Sequence, residues 1–417
     1  MTAMGDQSQS ATPHVVIAGG GIAGLEALIA LRDLAGERVE VTLVAPTPDF
    51  VYKPLIVEEP FSAQPAEHRE LAPIAEEFGA RFVQKAATRA DPAARTVELA
   101  DGSDLSYDML MVCVGARARP AFRDVITFEV SGEPLRIDDV LKEVEGTKQK
   151  RIAFVVPPGM SWPLPAYELA LMTRRRAESR GARDVRCMVV TPESAPLVMF
   201  GPLASDAVAQ LLSVRHIEAV TGVRVTETDA GELVMHPGDR RLDAERVVAL
   251  PALDGPSIPG LPADDSGFIP IDDHARVEGL DDVYAAGDGT TFPIKQGGLG
   301  TEQADAAAEH ISARVGAPVD PQPFRPVLRG KLLTGDETLS LRSGVAGGGG
   351  EGIASDDYLW WPPHKVSGRY LAPWLAGTTP HRDPEPPRRS VDVEVALPKE
   401  WHKEPMALDP YGPLDVD

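Results

Sequence analysis

Three glycines carry the first chemistry legible in this chain. Residues 14–45 read HVVIAGGGIAGLEALIALRDLAGERVEVTLVA and contain Gly19-x-Gly21-x-x-Gly24. Gly19 permits a tight turn, Gly21 lets backbone approach a pyrophosphate, and Gly24 lets a helix pack closely on its strand. The backbone N–H groups at a helix start also favour an anion. Here an apolar strand, His14 to Ala18, precedes the glycines. A helical run from Ala23 to about Leu34 follows, and then a second strand, Val39 to Val44. This context points to a dinucleotide site, the alternative being a glycine turn in an ordinary strand–helix–strand unit. The carboxylate that grips a ribose hydroxyl is expected at the end of the second strand, about 20 residues on. Ala45 and Pro46 stand there, with Thr47 and Asp49 as the nearest substitutes.

Two later segments complete a pattern: SYDMLMVCVGA at 106–116 and VYAAGD at 283–288. A second strand–loop–helix–strand unit runs from Arg151 to Val190, with the loop PPGMSWPLPA where a second glycine fingerprint belongs. Proline offers no N–H to a phosphate. The basic cluster Arg174, Arg175, Arg176, Arg180, Arg183 and Arg186 suits either phosphates or a solvated helix face. Cys113 and Cys187 both sit in apolar strands and read as core thiols, with no CxxC pair.

The elements that must position these residues give an α/β chain: two Rossmann-like three-layer domains plus a small C-terminal region. Residues 13–125 and 252–320 form one discontinuous domain, and 126–251 the second. Residues 321–377 form a C-terminal interface region with strand character at 325–342. Residues 1–12 and the Pro-rich, charged 378–417 read as disordered. Helices are expected at 67–79, Asp138–Val144, Tyr167–Arg180 and Leu203–Ser213, and strands at 81–88 and 95–99, with Asp101-Gly102 as a hairpin turn.

Of 417 residues, 43% are hydrophobic and 25% charged, an ordinary balance for a soluble globular protein. A net charge of −22 argues against nucleic acid and anionic membrane surfaces as partners. No signal peptide or membrane span is evident and two cysteines make no disulfide framework, so the expected location is cytoplasmic. No metal site is expected.

The order of the three segments resembles the FAD-dependent pyridine nucleotide–disulfide oxidoreductase superfamily. TLVAPTPDFVYKPLI, SWPLPAYELALM and PIKQGGLGTEQA resemble its branch of sulfide:quinone oxidoreductases and type II NADH dehydrogenases. The resemblance implies FAD as cofactor, held by Gly19, Gly21, Gly24, Lys53, Gly115, Ala116, Gly287, Asp288 and Gly298. Asp288 would bond the ribityl chain, although Asp also suits a helix N-cap. The helix from near Gly298 would aim its positive end at the flavin. Glu302 and Gln303 stand where type II NADH dehydrogenases place a Gln pair. Lys295 adds charge beside the ring or remains a solvated loop lysine. Trp162 matches the reactive-cysteine position of sulfide-oxidising relatives, so it covers the flavin or plugs the second domain. Lys295, Glu302, Gln303 and Trp162 are therefore the candidate catalytic residues.

The implied function is a sulfide:quinone oxidoreductase-like flavoprotein lacking the redox cysteines. It would pass electrons from an unidentified small-molecule donor via FAD to a quinone or similar acceptor. The alternative is a flavin-binding module with degenerate catalysis, acting in regulation or protein interaction. The aromatic segment with Tyr358, Trp360, Trp361, Tyr370 and Trp374 suits peripheral membrane contact or packing. A homodimer is expected.

Overall fold

The computed structural model describes residues 11–62, 68–129, 135–148, 150–159, 162–344 and 352–378. The expectations for residues 1–10 and for 379–417 lie outside these. Two all-parallel five-stranded sheets organise the chain. The first runs Val283–Ala285, Met109–Val112, His14–Ala18, Glu40–Ala45, Arg81–Gln84. Its central strands are apolar and β-branched because helices cover both faces. Val15, Val16 and Ile17 are fully buried. From the middle strand the chain steps one way to Glu40–Ala45 and later the other way to Met109–Val112. Such a reversal leaves a crevice outside the carboxyl ends of the strands, and the Gly19 turn lies there.

The second sheet runs Ile126–Thr127, Arg246–Ala249, Arg151–Val155, Arg186–Val190, Ile217–Val220. Where the chain passes between the sheets, Arg117–Arg119 pairs antiparallel with Ala252–Asp254. The C-terminal region is a three-stranded antiparallel sheet, Val327–Leu333, Thr338–Gly344 and Ile353–Ser355, followed by a short helix, Leu371–Leu375.

Local differences from the sequence reading have physical causes. The expected helix at 67–79 is shortened to Leu71–Glu77, because His68–Glu70 pairs as a strand with Asp49–Val51. The expected strand at 81–88 divides: Arg81–Gln84 joins the first sheet, and Ala87–Asp91 turns away to pair with Thr96–Leu99. The strand at 325–342 is a hairpin. The helix expected from Tyr167 starts at Leu164, since Pro163 and Pro165 occupy its first positions, where a missing N–H costs nothing.

Gly24 decides how closely the first helix, Ile22–Ala35, sits on its strand. A Cβ there would lie 1.9 Å from the Gly19 carbonyl oxygen. Gly24→Ala is therefore expected to cost about 1–3 kcal/mol in urea unfolding. Gly21→Ala, whose Cβ would meet nothing within 4 Å, should stay within about 0.5 kcal/mol of the parent.

Candidate functional site

Three turns from distant parts of the sequence converge at the crevice. Gly19 has φ +120°, and a Cβ there would fall 2.2 Å from the Cys113 carbonyl oxygen. Gly287 has φ +87°, and its Cβ would touch the Ala23 methyl at 3.3 Å. A Cβ on Gly289 would lie 3.0 Å from the Gly115 carbonyl, and one on Gly300 3.0 Å from the Gly287 Cα. Side chains are thus excluded where the turns meet. Gly21 and Gly115 are different: a Cβ on either would project into open space, so a ligand can approach the backbone there. The first helix begins at Gly21 with no side-chain cap, which leaves N–H donors for an anion. This cradle fits a dinucleotide pyrophosphate.

Asp288 extends from the third turn, partly buried. Burial pushes its carboxyl up, while Lys295 and then Lys53 pull it down. No hydrogen bond to this carboxyl forms among the described residues, which leaves it free for a ligand hydroxyl. Lys53 is exposed at the start of a 3₁₀ segment, Lys53–Phe61. Lys295 is no solvated loop lysine. Its ammonium donates to the carbonyls of Thr290 and Phe292 (2.7 Å) and sits 3.9 Å from the centre of the Phe268 ring. Burial lowers it to about 8, opposed by Asp288 and Asp264.

Glu302 and Gln303 lie on the helix Gly297–Arg314 and have protein partners. Glu302 accepts from Arg329 (2.6 Å) and from the Val327 N–H (2.9 Å), and burial raises its carboxyl to about 7. The Gln303 carbonyl accepts the Gly287 N–H at 2.8 Å, and its amide donates to Thr290 Oγ1 at 3.3 Å. Gln303 therefore braces the turn that carries Asp288. Gly298 follows the capping residue Gln296, whose side chain accepts the Leu299 N–H at 2.8 Å. Ala116 is partly buried beside Gly115. Trp162 is partly buried against Phe200, ring centres 5.9 Å apart. The cluster it joins also holds Phe292, Ile294 and Leu299 from the approach to the Gly297 helix.

Cys113 and Cys187 are buried, and burial pushes both thiols up to about 12. The arginine cluster is mostly absorbed by the protein. Arg174 donates to the Arg183, Val185 and Arg215 carbonyls. Arg176 makes a two-pronged pair with Asp138, and Arg175 pairs with Asp336. Arg183 and Arg186 are exposed.

Sequence reasoning missed Glu193. It follows the strand Arg186–Val190, where a nucleotide-binding unit keeps its ribose acid. The rule that exposed the gap at Ala45 would have found it here. Its side chain turns inward and accepts from Tyr167 (2.7 Å) and Thr191 (2.9 Å), fully buried. Also missed were the buried Glu26, the partly buried Asp305, and the buried pair Lys365–Glu168 at 2.7 Å. Glu26 was visible as the one charge in the apolar first part of the first helix, residues 22–31.

Sheets, glycine turns and the positioned carboxylate define a two-sheet dinucleotide-binding protein. The chain belongs to the pyridine nucleotide-disulphide oxidoreductase family, which it matches over residues 13–310. It is 25% identical over 258 residues to a sulfide-quinone reductase of Aquifex aeolicus (strain VF5), covering 59% of this chain. The match spans 60% of that relative's length. Its fold is similar to the crystal structure of the sulfide:quinone oxidoreductase from Aquifex aeolicus, with TM-score 0.70, 21% identity and 80% and 84% of the two chains covered. It is also similar to a NAD-dependent persulfide reductase from A. fulgidus, with TM-score 0.55, 19% identity and 79% and 63% covered. Among the described residues no helix is long and apolar enough to cross a membrane.

Burial raises the Glu193 carboxyl from 4.5 to about 7. A raised folded-state value gives stability that is full below about 4.5 and is lost as pH rises through 7. Urea unfolding at pH 5 and pH 7.5 should show this loss, about 1–3 kcal/mol from this group. Glu193→Gln should give a correspondingly shallower decline.

Proposed function

We propose that this chain is an FAD-dependent oxidoreductase that passes electrons from a small-molecule donor to a quinone or similar acceptor, without a cysteine relay and without NAD(P)H. The carrying observation is the convergence of the three glycine turns on a crevice that Gly21 and Gly115 leave open and Asp288 borders. We assign residues 13–125 and 252–320 to FAD binding and 126–251 to a nucleotide-binding-like domain that has lost its nucleotide. FAD supplies two-electron redox chemistry when bound. In this reading Gly19, Gly21 and Gly24 shape the pyrophosphate cradle, and Gly115, Ala116, Gly287 and Gly298 let backbone come close. Asp288 accepts from a hydroxyl and Lys53 adds positive charge. Lys295, lowered toward neutrality, holds or releases a proton at Nζ beside Asp288. Glu302 holds a proton near neutral pH, Gln303 keeps the Asp288 turn in place, and Trp162 limits access.

The loss of NAD(P)H use is supported by Pro157, Pro158 and Pro163 in the second loop and by the inward turn of Glu193. Absence of a cysteine relay is supported by two buried, protonated thiols. The exposed Tyr358 and Trp361 support a peripheral membrane or homodimer contact. A second reading, a flavin-binding module with degenerate catalysis, is favoured by the protein-bonded side chains of Glu302 and Gln303.

Acid precipitation of purified protein should release FAD. Gly21→Val should keep the parental unfolding midpoint of the flavin-free protein yet hold no FAD, because its side chain occupies the ligand's space. Normal FAD content in that variant would refute the cradle.

Anaerobic titration should show slow bleaching by NADH and NADPH, and rapid reoxidation of the photoreduced protein by a soluble quinone. Absence of any acceptor favours the module. Trp162→Ala should raise flavin emission and speed reduction by small reductants. Unchanged emission and rates would make Trp162 a packing residue only.

A further inference from the structure

Residues 364–375 cross the start of the helix Gly297–Arg314 and are held from several sides. The Lys365 ammonium pairs with Glu168 of the second domain, both buried, and Glu168 also accepts the Leu333 N–H at 3.0 Å. The Val366 N–H donates to the Tyr52 hydroxyl at 2.8 Å, and Thr301 donates to the Ser367 carbonyl at 3.3 Å. A Cβ on Gly297 would meet Val366 at 2.9 Å, so the segment lies directly on the helix start. Its firmest attachment is to Glu26 of the first helix. One Glu26 oxygen accepts the Tyr370 N–H at 2.8 Å, and the other the Leu371 N–H at 2.7 Å. A Cβ on Gly368 would fall 2.4 Å from the second oxygen, so only glycine lets the chain pass.

The Glu26 carboxyl shares a hydrogen bond with Asp305 of the Gly297 helix; Glu26 is fully buried and Asp305 partly buried. Asp305 Oδ1 is buried without a partner. Both Glu26 oxygens already accept backbone N–H groups, so Glu26 is the better anion and Asp305 carries the shared proton. Two anions in contact away from water would be strongly disfavoured.

We propose that residues 364–375 are a proton-linked strap: one proton shared by Glu26 and Asp305 keeps the strap seated on the Gly297 helix, and its loss lifts the strap from the end where the glycine turns converge.

Burial and the Glu26 charge push Asp305 well up, and burial raises Glu26 to about 7 against the backbone donors. The charged groups facing the pair are Arg369 on the strap, which favours ionisation, and Glu302 on the Gly297 helix, which opposes it. Asp33 and Glu309 act on the neighbouring Tyr370 hydroxyl, and Glu309 also pairs with Arg369 at 2.8 Å. Raised carboxyl values make seating full below the ordinary carboxyl range and progressively lost as pH rises through about 7.

Hydrogen exchange of the Tyr370 and Leu371 amides in the purified full-length protein tests this between pH 5.5 and 8.5, after the intrinsic pH dependence of exchange is divided out. Local opening should rise by up to about tenfold per pH unit from the ordinary carboxyl range up to the raised value and level off above it. The Val16 and Ile17 amides of the central strand should stay flat. Asp305→Asn, whose amide donates to Glu26 at every pH, should keep the strap closed and remove the dependence. Glu26→Gln should open it throughout. A flat parental profile at Tyr370 and Leu371 overturns the proposal, as does an unchanged slope in Asp305→Asn. Should that variant fail to fold, the parental contrast between strap and central strand decides alone.

Discussion

Backbone touching backbone is the constraint on which the site rests. Gly24 lies so close to the Gly19 carbonyl that no Cβ fits, and Gly19 itself lies against the Cys113 carbonyl. These contacts set how deeply the first helix enters the crevice, and with it the placement of Ala23 against Gly287. Gly287 in turn seats the second long helix through Gly300. Each contact is within the range where one methyl group forces movement, because packed interiors do not deform continuously. The result is a rigid concave meeting of three turns with open space left only where Gly21 and Gly115 face outward.

A second layer of order comes from acids placed wholly or partly out of water. Glu26, Glu168 and Glu193 are fully buried, and Asp305 and Glu302 are partly buried, Glu302 beside Arg329. Each has a specific role in joining parts distant in sequence. Glu168 ties the second domain to the C-terminal segment through Lys365, Glu302 ties the Gly297 helix to the C-terminal sheet, and Glu26 ties the first helix to the last. A buried carboxyl is tolerated only when its oxygens are bonded or its proton retained. These acids therefore specify one assembly more than they strengthen it, since loose packing would leave them unsatisfied.

Glu193 shows the same logic applied to a binding position. The fold offers an acid at the end of the strand Arg186–Val190, and Tyr167 and Thr191 take it into the interior. Meanwhile the preceding loop has prolines in place of donors. The second sheet thus repeats the parallel order of the first, while the acid at its strand end is held inside by Tyr167 and Thr191.

The sequence by itself determined the paired strand–helix–strand units, the α/β class and the glycine turn, because these rest on local periodicity and on conformations only glycine adopts cheaply. It also singled out Gly21, where the structure leaves open space beside the backbone. It did not determine the partners of Glu302, Gln303 and Lys295, or the sequestering of Glu193. Helical spacing places Glu302 and Gln303 on adjoining faces, but their partners arrive from Arg329 and Gly287, far along the chain. The 67–79 helix was shortened for the same reason, a strand partner at Asp49–Val51 that local pattern does not reveal. Burial of a charge is a property of everything packed around it, and that environment exists only once the two sheets and the C-terminal segment have come together.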